Sequence, residues 1–178
     1  MKEKKKTYLI WTAGSALALV LIDQLAKYLA AANLRGKEDI ILIPRVFQLH
    51  YLENRGAAFG LFQNQKIVFL VLCAVFLAGV AWFLYKTPPS SRYIPFYALG
   101  ASLSAGALGN GIDRLLHGYV VDFFYFSLID FPVFNVADIY VTAAAVLLIF
   151  LFLFYYKEED IDLLLRLCSF RRKKDQNR

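Results

Sequence analysis

Apolar residues run along this chain in four long blocks that do not alternate with polar ones. Residues 8–22 are apolar until Asp23 interrupts, residues 67–85 carry no charge, residues 93–112 stay uncharged until Asp113, and residues 139–156 follow directly on Asp138. A hydrocarbon core of about 30 Å takes roughly 20 apolar residues in helical form, whereas barrel strands would alternate over segments of about ten. The pattern predicts four transmembrane helices, over approximately residues 8–31, 67–85, 93–114 and 137–156. The first apolar run is broken by Asp23, Gln24 and Lys27 ahead of any cleavage site, so it reads as a permanent span and not as a removable leader.

Residues 33–66 have a different texture. Residues 40–43 are a short β-prone run ended by Pro44, and Phe47, Leu49 and Tyr51 then alternate with Gln48 and His50, the period of a half-buried strand. Asn54-Arg55-Gly56 reads as a turn, and residues 57–62 are small, then aromatic. The expected fold is therefore an all-α membrane protein of four transmembrane helices, with a small extracytoplasmic β-sheet, or cradle, between the first and second. Residues 1–157 form one integral membrane domain, and residues 158–178 are a charged tail.

Composition agrees. Of the 178 residues, 59% are hydrophobic and 19% charged, with a mean hydropathy of +0.50; soluble domains carry about 45–50% apolar and about 25% charged residues. Two Cys, ten Gly and five Pro support neither a disulfide scaffold nor a collagen-like chain. The net charge of +6 reads as topology and headgroup contact, not as nucleic-acid binding. Lys2, Lys4, Lys5 and Lys6 precede the first span, Lys86 and Arg92 bracket the turn between the second and third, and Arg171 to Lys174 crowd the tail. Threading four spans puts all of these on one side, so both termini are expected in the cytoplasm.

Ionisable residues inside a membrane are costly, at about 2.5–3.5 kcal/mol for a central carboxylate on insertion scales. Here they converge. At 1.5 Å per residue, Asp23 lies roughly 22 Å up the first span; Asn110, Asp113 and Arg114 reach a similar height on the third; Asp138 stands at the outer entrance of the fourth, and Asp122 in the connection before it. Asp23 and Lys27, four apart, can pair on one helix face, either anchoring the helix or meeting a substrate. Asp113 can pair with a basic group, and Arg114 can hold a lipid phosphate. Asp122 lies in the apolar run 119–125 with no basic neighbour. Asp138 begins a helix, where it can cap backbone amides. Two carboxylates meeting in a partly dry site share a proton and can act on a water as general base and acid.

At these residues the chain resembles bacterial lipoprotein signal peptidases (signal peptidase II). The resemblance rests on five blocks in order: Asp23-Gln24-Leu25-Ala26-Lys27, Asn54 to Gly60, Gly106 to Arg114, Val120-Val121-Asp122-Phe123, and Phe134-Asn135-Val136-Ala137-Asp138. Departures are small: Ala105 stands where a second Gly is common, and Ile139 where a small polar residue often follows the last Asp. The resemblance implies an intramembrane aspartic endopeptidase with Asp122 and Asp138 as catalytic dyad. Asp23, Lys27, Asn54, Gly56, Asn110, Asp113, Arg114 and Asn135 would bind substrate or support the dyad. The substrate would be a prolipoprotein whose lipobox Cys carries diacylglycerol, cut just before that Cys. A bacterial cytoplasmic membrane location follows, with the active site near the outer leaflet. Membrane lipids are partners, nucleic acid is not, and a monomer is expected. No metal or organic cofactor is implied.

A rival reading from the residues alone is a small ion- or proton-coupled transporter or channel, with Asp23, Asp113 and Asp138 as the path. Against it, the polar groups gather at one interface and residues 67–85 leave no polar route to the other side. A lipid-binding scaffold using Arg114 as a headgroup clamp is a third.

Overall fold

The computed structural model describes residues 2–56 and 65–168, the side chain of Cys168 excepted. Residues 57–62 and the basic end of the tail therefore lie outside the described residues. The first helix, α1 (Lys2–Leu34), has 33 residues, about 50 Å at 1.5 Å per residue. It outruns a bilayer core and carries its last turns up to the sheet. After β1 (Ile40–Ile43) and β2 (Phe47–Asn54) come α2 (Lys66–Lys86), α3 (Ile94–His117), β3 (Val120–Tyr125) and α4 (Val136–Phe150). A π-helical turn, Leu151–Tyr155, continues α4, and α5 (Glu158–Cys168) ends the described chain.

Among the described residues, three helices are long and apolar enough to cross a membrane: α1, α2 and α4 with its π turn. The predicted third span is a helix too, but it is the central one. It packs against α1, α2 and α4, and nine of its residues are buried, among them Ala101, Ala105, Gly106 and Gly109. Small residues let neighbouring backbones close in, which is how helices associate where lipid supplies no hydrophobic drive. A Cβ at Gly106 would stand 2.7 Å from the Ala137 carbonyl oxygen of α4. The outward faces of α1, α2 and α4 present large apolar side chains, such as Trp11, Leu17, Ile67, Val75 and Ile149.

Two cores hold the bundle. At the end holding the N-terminus, Leu84, Phe96, Tyr97, Ala144, Leu151 and Tyr156 pack together, and Leu164 of α5 joins them. The expected charged tail is thus in part an amphipathic helix, tethered by Arg92, whose Nη2 donates to Asp160 Oδ2 at 2.7 Å and to the Tyr155 carbonyl at 2.6 Å. At the other end, Ala30 and Leu34 of α1 meet Val121 and Phe123 of β3.

The sheet is antiparallel, in the order β1-β2-β3. Among the described residues, the expected cradle of residues 33–66 supplies two of its strands; the third, β3, comes from the connection between α3 and α4. Its burial is nearly continuous, from Val120 to Phe123, so it lacks the alternation that marked β2. Gly118 ends α3 in the left-handed region (φ 81°), turning the chain at once into β3. Register then sets the site: Asn54 pairs with Val120 and Leu52 with Asp122. Asn54 and Asp122, diagonal neighbours on one face, can therefore meet.

Candidate functional site

Five elements bring their polar side chains to one end of the bundle, beneath the sheet. The lower part is an ion cluster. Lys27 Nζ lies 2.9 Å from Asp23 Oδ2 and 3.1 Å from Asp113 Oδ2, with all three side chains at most 3% exposed. Both carboxylates also accept from other elements. Ala137 N, in the first turn of α4, donates to Asp23 Oδ1 at 2.8 Å, and Val121 N of β3 donates to Asp113 Oδ2 at 3.1 Å. Gln24 Nε2 donates to Asp113 Oδ1 at 2.9 Å and to the Gly109 carbonyl at 3.2 Å. A Cβ at position 109 would collide with the Asp23 carboxylate, so glycine there lets α1 and α3 approach. Buried charge is tolerable because each atom is paired or hydrogen-bonded, and the network locks α1, α3, α4 and β3 in one arrangement.

Above it lie Asp122 and Asp138, joined through asparagines. Asn135 Nδ2 donates to Asp122 Oδ1 at 2.6 Å and to Asn110 Oδ1 at 3.1 Å. Asn110 Nδ2 donates to Asp138 Oδ1 at 2.8 Å, and Asn54 Nδ2 donates to Asp122 Oδ2 at 2.9 Å. Lys27 Nζ donates to Asn110 Oδ1 at 2.9 Å, linking the two clusters. The two carboxylates are thus brought into one network, bridged by amides and not in direct hydrogen-bond contact.

Local sequence explains the placement of Asp138. Asn135 is the N-cap of α4; its side chain accepts from Asp138 N at 3.1 Å, and Asn135 N donates back to Asp138 Oδ2 at 3.1 Å. This is a reciprocal capping box, with Asn135 and not Asp138 at the cap. One carboxylate oxygen of Asp138 serves the helix end and the other faces Asn110. Asp122 is buried and Asp138 half-buried. Burial is the chief force pushing the Asp122 carboxyl up from its ordinary 3.8 to about 6; the charge of Asp138 adds to it, and the hydrogen bonds from Asn54 and Asn135 pull the other way.

Of the other expected residues, Gly56 is buried; its N donates to Asn54 Oδ1 at 3.1 Å, and its carbonyl accepts from Arg114 Nη2 at 3.0 Å. The Arg114 guanidinium also covers the Phe69 ring at 4.3 Å, tying the start of α2 to α3. Gln24 was not among the expected site residues, although its place beside Asp23 put it within reach of the same cluster. Among the described residues, no group of three or more His, Cys, Asp and Glu could hold a metal ion.

The chain is similar to known proteins over most of its length. A family profile described as signal peptidase (SPase) II matches residues 15–154. A lipoprotein signal peptidase of Streptococcus thermophilus is 41% identical over 144 residues, 81% of this chain and 91% of that protein. Its counterpart in Caldanaerobacter subterraneus is 44% identical, over 73% of this chain and 87% of that protein. A solved bacterial membrane enzyme superposes with a TM-score of 0.72 at 31% identity, covering 83% of this chain and 92% of its own.

Proposed function

The chain belongs to the signal peptidase II family, and from that membership and the site above we propose that it is an aspartic endopeptidase of prolipoproteins. It is a protease of a multi-pass membrane family, and it removes signal peptides from prolipoproteins. The finer reading is that Asp122 and Asp138 act as the catalytic pair, cutting before a lipobox Cys that carries diacylglycerol. The observation that carries it is the network in which Asn110 and Asn135 hold both carboxylates at one end of the bundle, one dry and one half-exposed.

The pair holds one proton between its two members. The ionised carboxylate takes a proton from water as the water oxygen adds to the scissile carbonyl carbon, and the protonated carboxyl gives its proton to the carbonyl oxygen. The gem-diol then collapses: the carboxyl that gained a proton gives it to the departing Cys nitrogen as the C–N bond breaks, and the other carboxylate takes a proton from a gem-diol hydroxyl as C=O re-forms, which returns the pair to its one-proton state. Asn54, Asn110 and Asn135 orient the carboxylates; Asn135 is fully buried and does only that, whereas the half-buried Asn54 and Asn110 can also meet a substrate backbone. Asp23, Lys27 and Asp113 are too buried to meet substrate; they hold the frame. Arg114 steadies Gly56 by donating to its carbonyl.

The orientation has four spans, α3 included, with both termini in the cytoplasm and the dyad near the outer leaflet. A diacylglyceryl-Cys sits at that same boundary, its acyl chains in lipid and its peptide bond at the polar level. The protein acts as a monomer.

The test is cleavage of a diacylglyceryl-modified lipobox peptide by the purified protein in detergent. Cleavage before the lipidated Cys, lost in folded Asp122→Asn and in folded Asp138→Asn, is the expected result. Full activity in either variant removes that residue from the pair.

A further inference from the structure

The other end of the bundle carries a feature that proteolysis does not use. Four lysines, Lys2, Lys5, Lys6 of α1 and Lys86 of α2, border a cavity of about 750 Å³ whose floor is apolar. It shares Leu9, Ala13 and Tyr85 with a second cavity of about 840 Å³, which runs between α1, α2 and α3 and is lined almost wholly by aliphatic side chains and Trp82. A basic mouth thus opens directly into an apolar groove.

The mouth is built. Lys5 Nζ donates to the Leu84 carbonyl at 2.7 Å and to that of Thr87, and it stands 5.7 Å from the Tyr97 ring centre and 5.9 Å from that of Tyr85. These contacts hold α1 against the end of α2. They use two of its N–H groups and leave the third, and they give it no counter-charge. Among the described residues, none of the four lysines has a carboxylate within ion-pair distance.

We propose that this mouth and groove form a binding site for one anionic glycerophospholipid, its phosphate among Lys2, Lys5, Lys6 and Lys86 and an acyl chain between α1 and α2. Charge complementarity singles out this occupant. A lipid without net charge gains less than an anionic one from four cations that have no carboxylate partner among the described residues. A signal-peptide helix brings a basic n-region to the same side of the membrane and is repelled by them. Only an amphiphile with a negative head and a long apolar chain satisfies both parts. The lipid comes from the leaflet that holds the N-terminus; calling that leaflet cytoplasmic rests on the proposed orientation, but the site does not.

Trp82 in the groove is the reporter. Trp11, 71% exposed and lining a different cavity, is replaced by Phe so that bulk lipid does not dominate. The protein is reconstituted in phosphatidylcholine vesicles, and Trp82 quenching is titrated with phosphatidylglycerol or phosphatidylcholine brominated on the acyl chain. The expected result is a preference for phosphatidylglycerol of at least about fivefold, the effect of one lysine near an anionic surface. Lys5→Gln/Lys6→Gln/Lys86→Gln brings it close to unity. Ala13→Phe, which blocks the junction of mouth and groove, weakens quenching by phosphatidylglycerol while cleavage of the lipobox peptide persists. Equal quenching by both lipids, an unchanged preference in the triple variant, or displacement of the lipid by a signal-peptide helix would each overturn the assignment. Cleavage is scored separately, so a parent protein that shows no lipid preference but cleaves the lipobox peptide rejects the site and leaves the peptidase reading standing.

Discussion

Lys27→Met is the perturbation that weighs the ion cluster. Methionine nearly matches the lysine stem, so packing along α1 survives and only the ammonium goes. It leaves behind Asp23 and Asp113, at 0% and 2% exposure, without the cation that now lies 2.9 and 3.1 Å from them. At an effective dielectric near 20, each contact is worth about 5 kcal/mol before desolvation is subtracted. The two carboxylates, no more than about 6 Å apart across that lysine, then repel each other by about 3 kcal/mol. Donors from Ala137, Val121 and Gln24 remain and soften the loss. Removing one member of a buried pair costs about 3–5 kcal/mol, and at about 2–4 °C per kcal/mol for a chain of this size the melting temperature should fall by about 6–20 °C. Asp23→Asn leaves a matched pair and should cost less. The triple variant Asp23→Asn/Lys27→Met/Asp113→Asn, which removes every charge, should recover at least half of the loss. Intrinsic-fluorescence melting in mild detergent reads all three. A Lys27→Met protein melting within about 1 °C of the parent, or a triple variant no better than the single, would refute the reasoning.

Four further outcomes follow from the geometry. Because Asp122 is pushed up to about 6 from 3.8, its contribution to stability is complete below pH 4, is lost as pH rises through 6, and amounts to about 3 kcal/mol; Asp122→Asn should remove that slope from melting measured between pH 4 and 8. In the same range the parent's kcat/KM, read from peptide cleavage, should decline on the alkaline side as pH rises past about 6 and Asp122 loses its proton. Gly106→Ala should destabilise by about 1–3 kcal/mol through overpacking, its Cβ falling 2.5 Å from Val141 Cγ2 and 2.7 Å from the Ala137 carbonyl oxygen; Gly14→Ala, with nothing within 4 Å, should be neutral or stabilising in the same melt. Arg92→Ala should free α5, raising its rate of proteolytic clipping several-fold. Since Arg92 holds the Asp160 carboxyl down at about 2, the docking of α5 persists above the ordinary carboxylate range and is lost only as pH falls towards 2.

How far the fold could be read depended on where each helix buries itself. Three of the predicted spans are exposed over most of their surface, so apolar residues cover nearly every side of them and stand out in any window. The third faces three neighbours; Gly, Ala and Ser replace bulk there, and Asn110, Asp113 and Arg114 sit in its last turns, so its apolar signal is weakest although it is the best buried. On α1, hydrophobicity could not tell inside from outside, since lipid and protein core are equally apolar. The buried residues Ala16, Val20, Asp23, Lys27, Ala30 and Leu34 are spaced four and three apart, a seam of the kind that packs helices side by side; among residues this apolar, only the charged pair at its centre betrays it. Strand β3 was hidden for a related reason: packed on both faces, it has no alternation to find. The helix α5 was hidden by its charges, although Ile161, Leu164 and Leu165 repeat at helical spacing among them.

The site was legible as a height and not as a set of contacts. Counting residues along helices brings Asp23, Asn110, Asp113, Asp122 and Asp138 to one level, because a membrane fixes where each span begins. It cannot assign partners within that level. The assignment comes from two short-range devices: the turn at Gly118, which swings β3 back beside β2 so that Asn54 meets Asp122, and the cap at Asn135, which sets Asp138 one turn along α4. The carboxylates then divide into two groups by their neighbours. Asp23 and Asp113 share a lysine and donors from the backbone of other elements, which makes them joints of the frame. Asp122 and Asp138 receive side-chain amides, neutral donors that orient a carboxylate without cancelling its charge, and that is the environment in which a pair can still exchange a proton with water.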